Sequence, residues 1–557
     1  MTITIHSWQR WGRETMNSIE RVRAYFGAIA SNHGIVHKAE TALIGYLFAY
    51  SVFTFLLASN LSLTWDEGSH TIAGIFVYDL AKDFLNSLPT SLSGTWLYTY
   101  VYGYISNYFA IFSSGFNYPP AYALVMAASF AAFGVNDFAA RIVSTVFSFL
   151  ALVFVYKLGR QVFGRAAAIA STVAFSLSFI FLQHSVLIMR DVPSTFAVLA
   201  TLYYFLKSEQ SGLNRPAFLA AASAFLGSMI KFPAALVFPI IFFYLLLKHR
   251  SFVFLRQKNV RILGCAFLGF LLYLALVLVF AGFFPEDSTE RGTLIGNTLG
   301  WLLPGSEKLS ASSAISSMGA RVIAFYLVAL LEVANWPLFL IGLVGLYGAF
   351  RNKNPAARVL LVLTAVYFVV FTLIPNKEPR FVFPMIAAFF LVAFNEANSL
   401  AKTFFVGHER KILFLLILSV ALPSFVLVGN KQETIFTYAN SYSTIDLDNI
   451  AKYVVDSFPD NSAVILASHD IRVNWVNFSF YTLKYDRRHS RKVTEFPVNE
   501  FDRRVQGLKG KGLPVYIVLY DGNQGHLWQK VKGSQGFELV KAFSQRNGET
   551  IELYGVK

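Results

Sequence analysis

Two carboxylates stand side by side in Trp-Asp-Glu-Gly-Ser-His at 65–70, just past the first long apolar segment, 41–63. Another acid, Asp191, follows Arg190 at the end of a second apolar segment, 166–188. Lys231 interrupts the apolar stretch 217–247, and Asn-Lys-Glu-Pro-Arg at 376–380 sets Lys377 and Arg380 at the mouth of a further one. Ionisable groups are costly in or beside a bilayer, so their placement points to function. A carboxylate can take the proton of an attacking hydroxyl, and Lys or Arg can hold a phosphate. On that chemistry Asp66 is a base or a metal ligand, with Glu67 and His70 as helpers. Asp191, with Arg190 beside it, faces Asp66 across a pocket, and Lys231, Lys377 and Arg380 are cations for a phosphodiester or pyrophosphate group. Tyr118, in Asn-Tyr-Pro-Pro at 117–120, is suited to stack on a sugar.

Each of these residues also has a plainer reading. Asp and Glu favour a helix amino terminus through its dipole. Arg190 and Asp191 can pair at the interface, Lys231 can snorkel to it, and Glu378 can clamp Lys377 or Arg380. Paired prolines fix a helix entry. His184 reads as a packed polar group.

The elements that position these groups are membrane helices. The 557 residues are 55% hydrophobic and 14% charged, with a mean hydropathy of +0.51, where a soluble protein carries about 25% charge. Charge-poor stretches of about 17–25 residues, long enough to span a bilayer, recur from 41 to 428. The net charge of +15 lies largely in short loops between spans, where it orients helices, and no nucleic-acid partner is expected. The single cysteine, Cys265, excludes an intrachain disulfide and a Cys-based metal or redox site. Residues 1–40 have no apolar core, unlike a cleavable signal peptide. They are expected to form a cytoplasmic segment, with 41–63 an uncleaved first span.

Expected spans are 41–63, 138–156, 166–188, 192–206, 217–230, 233–247, 262–284, 328–349, 359–375, 381–401 and 412–428. If the apolar segment 118–134 does not cross, the inner loops hold 21 Lys and Arg and the outer loops seven. That is the asymmetry the positive-inside tendency demands. Segment 118–134 is therefore read as an interfacial or re-entrant helix of an outer-face loop. Eleven crossings follow, with an inner amino terminus and an outer carboxyl terminus. Asp66, Glu67, Arg190, Asp191, Lys231, Lys377 and Arg380 then share the outer face. The expected fold is a polytopic α-helical membrane domain, 41–430, followed by a small extracytoplasmic α/β domain, 431–557. In that tail 446–458 reads as an amphipathic helix, and 462–467 and 514–520 as buried strands.

There is no glycine-rich phosphate loop, His-Glu-x-x-His pair or serine elbow. The pattern resembles the GT-C superfamily of integral-membrane glycosyltransferases, closest to the protein mannosyltransferase and aminoarabinose transferase branch. The shared features are the acid pair after the first span, Pro-Pro at 119–120, Phe-Ala-Ala-Arg-Ile-Val-Ser at 138–144 and Gly-Arg-x-x-Phe-Gly-Arg at 159–165. Asp191, the Lys231 hairpin and Asn-Lys-Glu-Pro-Arg-Phe-Val-Phe-Pro at 376–384 complete them, over roughly 41–400. Asn117, Tyr118 and Asn376 depart from the family pattern.

The resemblance implies Asp66 as the catalytic acidic residue with Glu67 beside it, and Asp191 as the second acid. Lys231, Lys377 and Arg380 would approach the donor phosphate. The implied donor is a sugar, hexose or pentose, on a polyprenyl or dolichyl phosphate. The implied acceptor is a hydroxyl of a glycan, lipid or protein, and the transfer would be inverting. Asp66 and Asp191 are the pair that would share a divalent cation if one is used; no other cofactor is expected. The membrane would be the plasma membrane of a prokaryote or the endoplasmic reticulum of a eukaryote. The rival expectation is a secondary transporter or lipid flippase, which would place charges near the midplane and usually show repeated halves.

Overall fold

In lipid a backbone finds no water to pair with, so an apolar segment closes its own hydrogen-bond ladder as a helix. The computed structural model describes residues 38–58, 61, 63, 67–87, 119–281, 312–351, 355–374, 377–425, 445–467, 473–486, 491–495, 500–520, 526–545 and 549–557. The first described helix, α1, runs from Lys38 to Ala58. There follow α2 Glu67–Ser87, α3 Ala121–Phe133, α4 Asp137–Phe163, α5 Arg165–Leu177, α6 Phe179–Val186, α7 Asp191–Ser211 and α8 Asn214–Ile230. A 3₁₀ turn, Phe232–Leu236, leads into α9 Val237–His249, followed by α10 Lys258–Ala281, α11 Ser312–Arg351 and α12 Pro355–Leu373. A second 3₁₀ turn, Pro379–Val382, opens α13 Phe383–Phe404, and α14 is Glu409–Phe425.

The chain is an integral, multi-pass membrane protein. Among the described residues seven helices are long and apolar enough to cross a bilayer, and α5 with α6, bent by 65°, makes an eighth. The helices α7, α8 and α14 stand where spans were expected but fall outside that set, so the expected eleven crossings rest on these three crossing too. Helix α3 has 13 residues. At 1.5 Å per residue it is about 20 Å long, short of a hydrocarbon core of about 30 Å, as suits a segment that does not cross.

Helix α13 is the central element. Every residue from Phe383 to Phe394 is buried, as expected of a helix that is apolar all round. It packs closely on α11 because Gly342 has no side chain: a Cβ there would lie 2.2 Å from Cζ of Phe389.

The tail holds α15 Leu447–Ser457, α16 Trp475–Tyr485, α17 Phe501–Gly510 and α18 His526–Gly533. Its strands are β1 Ala463–Ala467, β2 Lys492–Glu495, β3 Val515–Tyr520, β4 Phe537–Ser544 and β5 Thr550–Val556, in the order β2-β1-β3-β5-β4. The strands β2, β1 and β3 are parallel, with Ala463 opposite both Lys492 and Val515. Strand β5 runs antiparallel to β3 and β4 antiparallel to β5.

Side chains alternate across a strand, and the central strands bury both faces. Ala463, Ile465, Ile517 and Leu519 pack with Phe501, Val505 and Leu508 of α17. Val464, Leu466 and Val518 join an apolar cluster that also holds Ile450 of α15, Phe478 of α16, Ile72 and Phe76 of α2, Met126 of α3 and Val143 of α4. The α/β domain and the helices α2–α4 thus share one core.

Candidate functional site

Three breaks between helices carry buried charge. Segment 187–190 separates α6 from α7, Lys231 separates α8 from the first 3₁₀ turn, and Arg380 lies in the second. A helix interrupted at membrane depth is tolerated where its backbone is enclosed by protein or lines a cavity. Arg190, Lys231, Arg380 and Asp191 are all buried, with exposures of 2%, 5%, 9% and 5%.

Asp191 is the first residue of α7, where the dipole favours an anion. Lys231 Nζ pairs with Asp191 Oδ1 at 2.6 Å and lies 4.5 Å from the centre of the Phe381 ring. The Arg380 guanidinium is 5.6 Å from the same ring, donates to Met189 Sδ at 3.4 Å and pairs with Glu378. Arg190 donates to the carbonyl of Pro119 at 3.4 Å and sits 5.6 Å from the Tyr122 ring. The His70 ring meets Tyr122 edge-on at 5.8 Å. Burial, reinforced by Arg190, Lys231 and Arg380, holds the His70 imidazole well below its ordinary pKa, so it is neutral at pH 7. Against Arg190, Lys231 and Arg380 stand Asp191 and the half-exposed Glu378. Among the described residues of this cluster three cations thus face two carboxylates, in surroundings where charge is costly to bury and an anionic ligand is favoured.

Glu67 joins this cluster to the acid-pair segment. Its Oε1 accepts from the amide of Ile188 at 2.7 Å and from Arg141 Nη1 at 3.3 Å. Arg141 also donates to the carbonyls of Val186 at 3.0 Å and Leu61 at 2.8 Å. Glu67 and Arg141 are both buried. Glu67 is therefore engaged in tying the start of α2 to the segment that leads to Asp191. Arg141 lies in the 138–144 motif, and its spacing alone assigns it no role. A lone arginine inside an apolar run was the signal available.

Lys377 is engaged elsewhere. Its ammonium donates to the carbonyls of Phe371 and Thr372 at 2.6 and 2.7 Å and to that of Ile374 at 2.5 Å, at the carboxyl end of α12. Burial lowers its pKa from the ordinary lysine value. Asp66 and Tyr118 lie outside the described residues, though Glu67 and Pro119, their chain neighbours, are both buried in the site region. His184 is buried, its Nδ1 against the Ile180 carbonyl at 2.8 Å and its ring edge-on to Phe383. Lys231 pairs with the Asp191 carboxylate and Arg380 lies nearby, an arrangement that opposes a divalent cation at that carboxylate.

Residues 117–281 match the family model of dolichyl-phosphate-mannose-protein mannosyltransferase. An uncharacterized protein of Aquifex aeolicus is 31% identical over 139 residues, which is 24% of this chain, and the match spans 27% of that relative's length. Among solved structures, ArnT from Cupriavidus metallidurans bound to undecaprenyl phosphate is similar with a TM-score of 0.59 at 13% identity, over 92% of this chain and 98% of that one. The same protein in its apo state gives 0.53 at 13% identity, over 93% and 98%. The chain thus has the GT-C membrane fold, and its resemblance is to the protein-mannosyltransferase and aminoarabinose-transferase branch, as its motifs implied.

Proposed function

We propose that this protein is a membrane glycosyltransferase that moves a sugar from a polyprenyl- or dolichyl-phosphate carrier to an acceptor hydroxyl on the extracytoplasmic face, with inversion. The observation that carries this reading is the buried charge cluster. Arg190, the Lys231–Asp191 pair and Arg380 gather at helix breaks, and Glu67, through the Ile188 amide, holds the acid-pair segment against them. The lipid tail of such a donor stays in the bilayer while its phosphosugar reaches a site of this kind.

In the reaction Asp66 accepts the proton of the acceptor hydroxyl, whose oxygen attacks the anomeric carbon. The bond from that carbon to the phosphate oxygen breaks, and the lipid phosphate leaves with the electron pair. Lys231, Arg380 and Arg190 offset the charge that develops on it. One displacement inverts the anomeric centre. Glu67 acts through Arg141 and the Ile188 amide to hold the segment, and His70, neutral, packs the wall. No step is routed through a metal. The ArnT structure with undecaprenyl phosphate supports the choice of donor class.

Purified protein incubated with polyprenyl-phosphosugars and candidate acceptors tests this. Wild type is expected to release polyprenyl phosphate and give a product of inverted configuration by NMR. Asp66→Asn should lose about 10²–10⁴-fold in kcat, the usual contribution of a general base. Transbilayer flux in proteoliposomes with no bond cleavage would replace the enzyme with a transporter or flippase.

A further inference from the structure

Three hydrogen bonds run from α16 of the C-terminal domain to the two ends of the acid-pair segment. Asn477 Nδ2 donates to the Leu63 carbonyl at 3.0 Å, and the Gly68 amide donates to Asn477 Oδ1 at 3.0 Å. The Leu63 amide donates to the Tyr481 hydroxyl at 3.3 Å. Asn477 and Leu63 are fully buried. A carboxamide offers a donor and an acceptor on one rigid plane, so this one side chain grips the chain on both sides of Asp66. Asn477 is itself held in place: the Asn474 side chain caps α16 by accepting from the Asn477 amide at 2.8 Å.

The fit of the facing helix is equally close. A Cβ on Gly68 would stand 2.5 Å from Asn477 Oδ1, and 2.8 and 2.9 Å from its backbone N and Cα. Backbone atoms cannot swing aside, so the first turn of α2 is shaped to lie against α16. Arg141, through Leu61 and Glu67, holds the same segment from the membrane helices. Leu63, Glu67 and Gly68, which flank Asp66 in the chain, are therefore held from two sides, one of them supplied by residues more than four hundred positions later in the chain.

We propose that Asn477, assisted by Tyr481, is a positioning residue for the acid pair, and that the C-terminal domain is thereby a structural part of the active site. The proposal rests on the reading of Asp66 as the base. A domain that was only docked at this point would lose stability without the clasp but keep its turnover per folded molecule.

The test uses the full chain and two readouts, hydrogen exchange at the amides of 63 and 68 and transfer kinetics per folded molecule. Asn477→Ala is expected to speed exchange at both amides and to lower kcat about tenfold or more, with the donor KM changed less than about twofold. Tyr481→Phe keeps its ring in the core and is expected to give a smaller loss, about threefold, with faster exchange at Leu63 only. Arg491→Ala is the control for general loosening of the domain. It removes a guanidinium that holds Asp486, at the opposite end of α16 from Asn477, and the Val455 and Phe458 carbonyls. It should lower thermal stability with kcat unchanged.

Wild-type kcat in Asn477→Ala, or unaltered exchange at 63 and 68, overturns the proposal. A fully active Asp66→Asn beside an impaired Asn477→Ala overturns only the assignment of Asp66 as base, leaving the clasp as the positioning device of this segment.

Discussion

Asp191 and Lys231 form a buried ion pair at 2.6 Å, and such a pair is dangerous to break by halves. Asp191→Ala leaves a buried ammonium uncompensated and is expected to cost about 3–5 kcal/mol. The double variant Asp191→Ala/Lys231→Met removes both charges and should recover most of that loss in chemical or thermal unfolding. It should not recover transfer, because the site then lacks a cation for the leaving phosphate. If the double variant is as unstable as the single one, the pair is not what the destabilisation reports. The participants in this cluster were legible in the sequence because a charge in an apolar run stands out. Their pairing was not, since the two residues are 40 positions apart and Arg190, next to Asp191 in the chain, is the partner that the sequence offers. Asn477 was illegible for a different reason. An asparagine in a polar tail has many ordinary roles, and only its contacts with Leu63 and Gly68 distinguish it.

At the scale of elements, helix ends do much of the work. Lys377 sits on three carbonyls at the end of α12, where a cation opposes the negative end of the dipole. Lys377→Met is expected to destabilise the protein by about 1–2 kcal/mol and to raise the donor KM less than Lys231→Met or Arg380→Met does. An equal rise in KM would return Lys377 to the donor phosphate. Most long helices were readable because lipid leaves an apolar segment no other structure. In the tail, β1, β3 and α15 were readable from buried or amphipathic runs. Strand β2, Lys-Val-Thr-Glu at 492–495, is short, polar and at the edge of the sheet, so its pairing with β1 gives it an identity that its composition does not.

At the scale of the whole molecule, orientation is the testable property. Cys265 is the only cysteine, so a Cys265→Ser background accepts single reporter cysteines without interference. The charge asymmetry of the loops predicts Ser251 inside and Ser534 outside. An impermeant maleimide should label Ser534→Cys in intact cells or vesicles and Ser251→Cys only after permeabilisation. Labelling of both from one side would separate the tail from the outer face and remove its role at the acid pair.

The 65° bend between α5 and α6 has a consequence for reach. The eight residues of α6 make a rod about 12 Å long. Tilted by that angle, it advances only about 5 Å along the axis of α5 and carries its end about 11 Å sideways, close to one helix diameter. The segment 187–190, which bears Arg190 and leads to Asp191, therefore starts about one helix diameter off the axis of α5. A straight joint at Ser178 would return the end of α6 to the axis of α5, so this bend sets where the charged segment begins.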